Sequence, residues 1–342
     1  MARSDGPIDI AIVGAGPCGL AAAISARNAG LNAVVFDAAC VVSSITQYPT
    51  YATFFSTAEK LSLGGLPFVT AGEKPSRRDA LAYYRAVVRH FGIPVRQYER
   101  VTRIGGQSGA FTIRTSRRGA ERVTEARAVI VATGYWGSPN RLGVPGEDLP
   151  HVSHAYREGH PAFQQNAVVV GGGNSAAEAA LDLWRSGARV TLVHFGPTFD
   201  KKIKPWVLPD FTNRVAEGSV KAIWNSRVTA IGAEEVTLCS TDGSASTIPA
   251  DHVFLMTGFA PNVELLRQVG VSIDAVTGIP THDPASLETD VPGIFIAGVV
   301  VAGYDANKVF IENGRFHGDQ IVARILGRPA PPPAKVSRDL DS

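Results

Sequence analysis

The chain has 342 residues, of which 45% are hydrophobic, and its formal net charge is +2. A length above ~250–300 residues predicts more than one domain, because a single hydrophobic core stops growing near that size. The small net charge argues against nucleic acid or an anionic membrane surface as a partner. Three scattered cysteines argue against a disulfide scaffold and predict a reducing, cytoplasmic location.

The first predicted unit opens with an apolar strand over residues 8–13, which leads into a glycine-rich turn and a helix of small residues. Gly14, Gly16 and Gly19 have the spacing G-x-G-x-x-G. In this fingerprint the first glycine forms the tight turn, the second lets the backbone approach a pyrophosphate, and the third lets the helix pack on the strand. Pro17 suits the first helical turn, where its missing N–H costs little.

The second predicted strand ends at Asp37, at about the 20-residue spacing from the glycines at which an acid binds a ribose hydroxyl. Strand, helix and acid together predict a dinucleotide site whose pyrophosphate lies at the helix N-terminus. A plain glycine-rich strand–helix turn is the alternative. A long loop, residues 38–75, follows, and loops of this length usually have a function.

A second copy of the opening pattern lies in the middle of the chain. The predicted strand 166–170 leads into a G-x-G-x-x-A turn that contains Gly171, Gly173, Asn174 and Ser175. A helix and another strand complete a second βαβ unit. Two such units, far apart in the chain, predict two dinucleotide-binding domains and not one sheet.

The end of the second unit distinguishes between nicotinamide cofactors. An acid at this position would favour the free ribose hydroxyl of NADH and repel a 2′-phosphate, and no acid follows this strand directly. His194, Lys201, Lys202 and Lys204 lie nearby and can neutralise that phosphate. The pattern therefore predicts NADPH; the alternative is that the lysines form a solvated loop face.

The remaining predicted elements are strands that end in small residues and one terminal helix. The strands cover residues 121–126, 129–134 (with Ala132, Thr133 and Gly134), 251–258 (with Thr257 and Gly258) and 293–298 (with Gly298), and the helix covers residues 307–326. The predicted fold class is α/β, with two three-layer, Rossmann-like dinucleotide-binding domains. The second domain, 141–258, is inserted between the two parts of the first, 1–140 and 259–327. A proline-rich tail, 328–342, is predicted to be disordered.

This plan resembles the flavoproteins with two dinucleotide-binding domains typified by thioredoxin reductase. The turns Ala132-Thr133-Gly134, Thr257-Gly258 and the strand reaching Gly298 resemble that family's second FAD motif, its inter-domain turn and its flavin-contacting strand. The resemblance implies FAD in the divided domain and NADPH in the inserted one. Two departures stand out: the inserted domain has only Cys239 and no C-x-x-C, and Val299 stands where the family has an aspartate.

Longer stretches resemble the bacillithiol disulfide reductase family: GAGPCGL at residues 14–20, YPT at 48–50, TFFST at 53–57, VPGEDLP at 144–150, IKPW at 203–206 and FIENGRFHG at 310–318. The resemblance implies an NADPH-dependent, FAD-containing enzyme that reduces the disulfide of a low-molecular-weight thiol. It also implies a homo-oligomer, a dimer or a tetramer. The family's proposed redox cysteine maps onto Cys18.

Cys18 has two interpretations. In the first turn of a helix, the dipole would stabilise a thiolate beside the flavin, able to attack the substrate disulfide. Cofactor phosphates oppose a second anion there, and a cysteine is also a small packing residue. The hypothesis that follows from the resemblance is that electrons pass from NADPH through FAD to an exchange centre at Cys18.

Further FAD contacts are predicted at Tyr48, Phe54 and Val101, and at Phe310 and Ile311, which open the terminal helix. The N–H groups of that helix would face the flavin. Ordinary core packing is the alternative for the aromatic residues. No cluster of His, Cys and Asp has metal-ligand spacing, so no metal site is predicted.

Other functions fit parts of the same pattern. One enzymatic alternative is a flavin monooxygenase, which the stretch 132–135 and residues in 146–156 faintly resemble. The other is a thioredoxin-reductase-like ferredoxin- or flavodoxin–NADP reductase, which also lacks the cysteine pair. A flavin-containing redox sensor is the non-enzymatic one. Fold analogy alone does not decide between them.

Overall fold

The computed structural model describes residues 8–200, 203–305, 308–329 and 331. These residues form two compact units. Unit 1 consists of the described residues of Met1–Thr46, Tyr51–Ser138 and Phe259–Ser342. Unit 2 consists of the described residues of Gln47–Thr50 and Pro139–Gly258.

The α-helices in the described ranges are α1 (Pro17–Asn28), α2 (Ser43–Thr46), α3 (Ala58–Leu61), α4 (Arg77–His90), α5 (Asn174–Arg185), α6 (Leu208–Ala216), α7 (Glu264–Gln268), α8 (Ile311–Gly314) and α9 (His317–Ile325). The strands are β1 (Ile8–Val13), β2 (Ala33–Phe36), β3 (Val95–Arg96), β4 (Arg100–Gln107), β5 (Ala110–Arg117), β6 (Ala120–Val131), β7 (Val152–Ser153), β8 (Asn166–Val170), β9 (Arg189–Val193), β10 (Val220–Ile223), β11 (Ser226–Ile231), β12 (Glu235–Ser240), β13 (Ala245–Pro249), β14 (His252–Leu255) and β15 (Ile294–Ile296). Short 3₁₀ helices cover His160–Ala162 and Gly298–Ala302.

The sheet of unit 1 has the strand order β3-β2-β1-β6-β5-β4, and β15 also pairs with β6. β1 is parallel to both β2 and β6, and its residues are almost completely buried. An apolar run without alternation is typical of a parallel strand covered on both faces. Helix α9 packs closely on α1, since a Cβ on Gly318 would lie 2.5 Å from the Cα of Ala22.

The sheet of unit 2 has the order β10-β9-β8-β14-β7, and every pair in it is parallel. Helix α5 follows β8 and buries a row of alanines and leucines against the sheet. A separate antiparallel sheet, β11-β12-β13, packs its apolar face against the other side. The predicted α/β fold class with two Rossmann-like units is therefore confirmed.

Two predicted elements have different bounds in the structure. The strands predicted at 121–126 and 129–134 are one continuous strand, β6. Its first half pairs antiparallel with β5 and is exposed, whereas its second half lies buried between β1 and β15, so the sequence pattern changes midway.

The terminal helix predicted over 307–326 is wrong as a single helix. The structure has α8 and α9, separated at Arg315 and Phe316, because the N–H groups of Phe316 and Asp319 bond to carbonyls three residues back. Asn307 lies outside the described residues. So does most of the tail 328–342, of which only 328, 329 and 331 are described.

Candidate functional site

The glycine-rich turn of unit 1 is held against Ala132, the residue that follows β6. Gly14 has a φ of +113°, and a Cβ on it would lie 2.3 Å from the carbonyl oxygen of Ala132. A Cβ on Gly19 would lie 2.0 Å from the carbonyl oxygen of Gly14. Both positions therefore require glycine. By contrast, no atom lies within 4 Å of the Cβ position of Gly16, which precedes α1 and its Pro17.

This open space above the start of α1 has the form that a pyrophosphate requires. The helix begins without a side-chain cap. The first-turn N–H groups of a helix have no partner within the helix and are available to an anion at its N-terminus. The residues present therefore fit the pyrophosphate of a dinucleotide.

Asp37 links the end of β2 to the same turn. Its Oδ2 accepts a hydrogen bond from the Ala15 N–H at 2.7 Å, and its Oδ1 accepts one from the Ala39 N–H at 2.7 Å. Burial raises the pKa of this carboxyl, although the two N–H donors and the charge of Arg100 oppose the rise. Each oxygen keeps a free lone pair, so Asp37 can still accept hydrogen bonds from ribose hydroxyls.

The other predicted residues of unit 1 contribute mainly through their backbone. The Ala132 N–H donates to the Val13 carbonyl, which places Thr133 and Gly134 directly beyond the edge formed by β1 and β6. The side chain of Val101 is buried in the core, so only its backbone remains for a ligand.

Cys18 lies on the first turn of α1, packed between two glycines of the C-terminal part of unit 1. A Cβ on Gly298 would lie 3.1 Å from the Cys18 Sγ, and a Cβ on Gly314 would lie 2.7 Å from it. Burial raises the pKa of the thiol to about 12. By accessible surface the Cys18 side chain is only partly buried, so this rise in pKa is an upper bound. The raised pKa weighs against a reactive thiolate, and the exchange role of Cys18 stays a prediction from the sequence.

Cys18→Ala tests that role. We expect the variant to keep FAD and to reduce its disulfide substrate within about threefold of the wild-type rate, because a thiol with a raised pKa is mostly protonated and a poor nucleophile. We also expect a loss of about 1 kcal/mol of stability from the small cavity. The measurement is NADPH oxidation with the disulfide at equal flavin content. A loss of turnover with FAD retained would instead assign the exchange reaction to Cys18.

The start of α8 differs from the predicted flavin-facing helix terminus. α8 is a single turn, so its dipole is small. The N–H of Phe310 is already bound by the Oδ1 of Asn313 at 2.7 Å, and the Phe310 ring is exposed. The Phe310 N–H is therefore already occupied, and the flavin contacts of Phe310 and Ile311 stay predictions. Val299 lies in the 3₁₀ turn that Gly298 opens.

His317, the first residue of α9, is fixed as an acceptor. Its Nδ1 accepts a hydrogen bond from the Gly298 N–H at 3.1 Å. Burial lowers the pKa of the imidazole to about 4, and the charge of His282 contributes in the same direction. The ring is therefore neutral at physiological pH and holds the Gly298 turn beside Cys18.

This geometry predicts acid sensitivity. The unfolded chain takes up a proton at His317 near pH 6.5, whereas the folded protein does so only near pH 4. The contribution of His317 to the free energy of unfolding is therefore fully present above about pH 6.5 and falls by about 3 kcal/mol as the pH drops to about 4. His317→Gln keeps an acceptor for Gly298 and removes the titration. In denaturant unfolding, wild type should lose about 3 kcal/mol more than the variant over this range; equal losses would contradict the assignment.

The glycine-rich turn of unit 2 repeats the arrangement of the first. Gly171 has a φ of +146°, and a Cβ on it would lie 2.4 Å from the carbonyl oxygen of Met256. The imidazole of His194 packs on Gly172, since a Cβ there would lie 2.4 Å from the His194 Cε1. Gly173 caps α5, which again begins without a side-chain cap. The turn and the helix terminus thus have the form of a second pyrophosphate site, from which the exposed Asp200 carboxylate, 3.2 Å from the Cβ position of Gly173, would have to turn away.

Two of the predicted polar residues near this turn, Asn174 and Lys204, already have partners within the protein. The Oδ1 of Asn174 accepts a hydrogen bond from the Lys204 N–H at 2.7 Å, and Ser175 is exposed on α5. The Lys204 ammonium is paired with Glu178 at 2.7 Å, so its charge is largely compensated. Lys201 and Lys202 lie outside the described residues.

An acid that sequence reasoning missed lies beside His194. Asp200 Oδ1 is 3.9 Å from the His194 Nε2, and Asp200 Oδ2 would be 3.2 Å from a Cβ on Gly173. Burial lowers the pKa of His194, so the imidazole is neutral at physiological pH. Asp200 comes from the loop after β9 and not from the strand end, which is why the strand pattern gave no sign of it.

Four further predicted residues lie away from the two turns. Thr257 donates through its hydroxyl to the Asn140 carbonyl at 2.6 Å, and Gly258 accepts from the Asn140 N–H, so this pair closes unit 2. Tyr48 lies in the segment Gln47–Thr50, which groups with unit 2 although the sequence placed it in the first domain. The reason is a hydrogen bond from the Thr50 N–H to the Arg157 carbonyl. Phe54 belongs to unit 1.

Two absences hold among the residues that the structure describes. No three His, Cys, Asp or Glu side chains come together there in a way that would hold a metal ion. Within the same ranges, no helix combines the length and hydropathy needed to cross a bilayer.

Comparison with known proteins relates both turns to one class of enzyme. The family model described as pyridine nucleotide-disulphide oxidoreductase matches residues 11–298. The bacilliredoxin reductase Bdr of Bacillus subtilis (strain 168) is 46% identical over 318 residues, covering 93% of this chain and 97% of that protein. The bacillithiol disulfide reductase Bdr (YpdA) from Bacillus cereus is 44% identical with a TM-score of 0.91, covering 94% and 99% of the two chains. The corresponding Staphylococcus aureus structure is 41% identical with a TM-score of 0.88, covering 94% and 98%.

Proposed function

Because the chain belongs to the pyridine nucleotide-disulphide oxidoreductase family, we propose that it reduces bacillithiol disulfide, the disulfide of a low-molecular-weight thiol. The protein is an oxidoreductase that uses FAD and NADPH. The observation that carries the proposed substrate is the likeness, over nearly the whole chain, to two bacillithiol disulfide reductases of known structure.

We assign the two cofactors to separate units. FAD belongs in unit 1, where Gly16 leaves room for its pyrophosphate and Asp37 binds its ribose. NADPH belongs in unit 2, at the turn formed by Gly171 and Gly173. When bound, the flavin supplies the two-electron chemistry that connects NADPH to the disulfide.

The chain's own residues bind and orient these groups. Close packing of α1 on Gly14 fixes the N–H groups that hold the first pyrophosphate. His317, neutral and bonded to the Gly298 N–H, fixes the turn beside Cys18 without adding charge. We also propose that the remaining predicted residues, including Tyr48, Phe54 and Val101, contact the cofactors.

The test is an acceptor panel with purified, FAD-loaded protein and NADPH. Bacillithiol disulfide, a bacilliredoxin mixed disulfide, glutathione disulfide, ferredoxin and oxygen are compared by the rate of NADPH oxidation. We expect bacillithiol disulfide to give the highest kcat/KM. Faster turnover with ferredoxin, or oxygen uptake coupled to an organic acceptor, would favour one of the alternative functions and contradict the proposal.

We further propose a cytoplasmic location and a homo-oligomeric state, dimer or tetramer. The location is supported by the three cysteines Cys18, Cys40 and Cys239, all of which are free thiols. The oligomeric state rests on the family resemblance alone and is measured by light scattering.

A further inference from the structure

A cation that the sequence did not single out lies where β9 ends in unit 2. Phe195 comes two residues after β9 and is 57% exposed. The guanidinium carbon of Arg227, from β11, lies 4.7 Å from the centre of the Phe195 ring. We propose that Arg227, held over Phe195, is the residue that binds the 2′-phosphate of NADPH and so selects NADPH over NADH. This inference rests on the proposed assignment of NADPH to unit 2.

The place of Arg227 matches the place of that phosphate. In a dinucleotide-binding βαβ unit the adenosine ribose lies beyond the end of the second strand, and an arginine nearby accommodates a 2′-phosphate. The second strand of this unit is β9, which is followed by His194 and Phe195. The positive charge of Arg227 also reaches His194, since it contributes to the lowered pKa of that imidazole.

Of the residues predicted for this role, the two that the structure describes supply little free charge. The Lys204 ammonium is paired with Glu178, and His194 is neutral. Asp200 adds a negative charge beside the same imidazole and would repel a phosphate. A further cation among the described residues at this strand end would favour a bound 2′-phosphate. Arg227 is exposed and has no carboxylate within 4.0 Å among the residues that the structure describes.

The backbone fixes Arg227 at this position. The Ser226 N–H donates to the His194 carbonyl at 3.1 Å, and the Asn225 N–H donates to the Gly196 carbonyl at 2.9 Å. The residue before Arg227 is thus bonded directly to the segment after β9. The ring of Phe195 then holds the guanidinium by a cation–π contact, which reduces the entropy lost when a phosphate binds. A planar guanidinium can bind phosphate oxygens through two parallel N–H donors, which lysine cannot do.

The experiment measures binding of NADP⁺ and NAD⁺ to the FAD-loaded protein by calorimetry. Arg227→Gln should weaken NADP⁺ binding roughly 10- to 100-fold, the effect of losing hydrogen bonds to a charged group, and should change NAD⁺ binding less than twofold. Arg227→Lys should restore part of the difference, and Phe195→Leu should weaken NADP⁺ binding roughly 2- to 5-fold. The pair 2′,5′-ADP and 5′-ADP, measured in the same way, isolates the phosphate.

Arg214→Gln is the matched control. Arg214 also lies over an aromatic ring, that of Trp184 at 4.8 Å, so its loss removes one positive charge and a cation–π contact, together with its ion pairs to Asp210 and Glu217. Trp184 lies in the last turn of α5, roughly 15 Å along the helix from its N-terminus. This variant should bind NADP⁺ as wild type does.

The possible results distinguish a failure of the role proposed for Arg227 from a failure of the NADPH site proposed for unit 2. Unchanged NADP⁺ binding by a folded Arg227→Gln, or equal weakening of NADP⁺ and NAD⁺, overturns the role of Arg227 while leaving the NADPH site in place. A wild-type protein that binds neither nucleotide overturns the assignment of unit 2 and the inference with it. Far-UV circular dichroism and flavin content confirm that each variant is folded.

Discussion

Gly19→Ala is expected to yield protein without FAD and with greatly reduced stability. The new Cβ would lie 2.0 Å from the Gly14 carbonyl oxygen, so α1 would have to move away from β1. Overpacking of this kind costs about 3 kcal/mol or more when the obstacle is backbone. The same displacement moves the N–H groups that face the pyrophosphate. The measurement is the ratio of flavin absorbance to protein, together with the thermal unfolding midpoint.

Two further glycine substitutions test whether the loss in Gly19→Ala comes from the clash with backbone. Gly105→Ala, in β4, meets no atom within 4 Å and should keep both flavin and stability. Gly16→Ala also meets none, so the protein should fold, yet its methyl group enters the space assigned to the pyrophosphate and should weaken FAD binding. Normal flavin content in Gly19→Ala would contradict the packing account, and normal FAD affinity in Gly16→Ala would contradict the assignment of the site.

Gly171→Ala is expected to retain FAD while losing reduction by NADPH. Its φ of +146° is unfavourable for alanine, and the new Cβ would lie 2.4 Å from the Met256 carbonyl oxygen. The turn that binds the second pyrophosphate would be displaced, at a cost of about 3 kcal/mol, or a roughly 100-fold lower kcat/KM for NADPH. Flavin content and chemical reduction by dithionite should remain normal, because the substitution lies in unit 2.

The control for this variant lies in the same unit. A Cβ on Gly232 approaches only Glu235, whose side chain can move, at 3.3 Å, so Gly232→Ala should keep wild-type kinetics with NADPH. Simultaneous loss of FAD and NADPH binding in Gly171→Ala would show that the two cofactors do not occupy separate units.

The features that the sequence predicted well are those set by local pattern. Gly14, Gly19 and Gly171 each meet backbone atoms that exclude a side chain, and such requirements leave a fixed spacing in the chain. The apolar runs of β1 and β8 are buried without alternation, as expected for parallel strands. The fold class and the positions of both turns could therefore be inferred from the amino-acid sequence alone.

The features that were missed depend on partners distant in sequence. The break between α8 and α9 accompanies the packing of Gly314 on Cys18 and of Gly318 on Ala22, which no helical pattern reveals. Lys204 was expected to be free for a phosphate, but its partner Glu178 lies on another element. Arg227 reaches the end of β9 only because β11 begins with backbone bonds to that segment.

The central claim is that one chain passes electrons from NADPH through FAD to a small disulfide. The most direct measurement is the flavin absorbance of the purified protein without oxygen, first on adding NADPH and then on adding bacillithiol disulfide. We predict that the flavin absorbance bleaches with NADPH and returns with the disulfide, with one NADPH consumed for each disulfide cleaved. A flavin that NADPH leaves unchanged, or that bleaches and is not restored by the disulfide, would contradict the account.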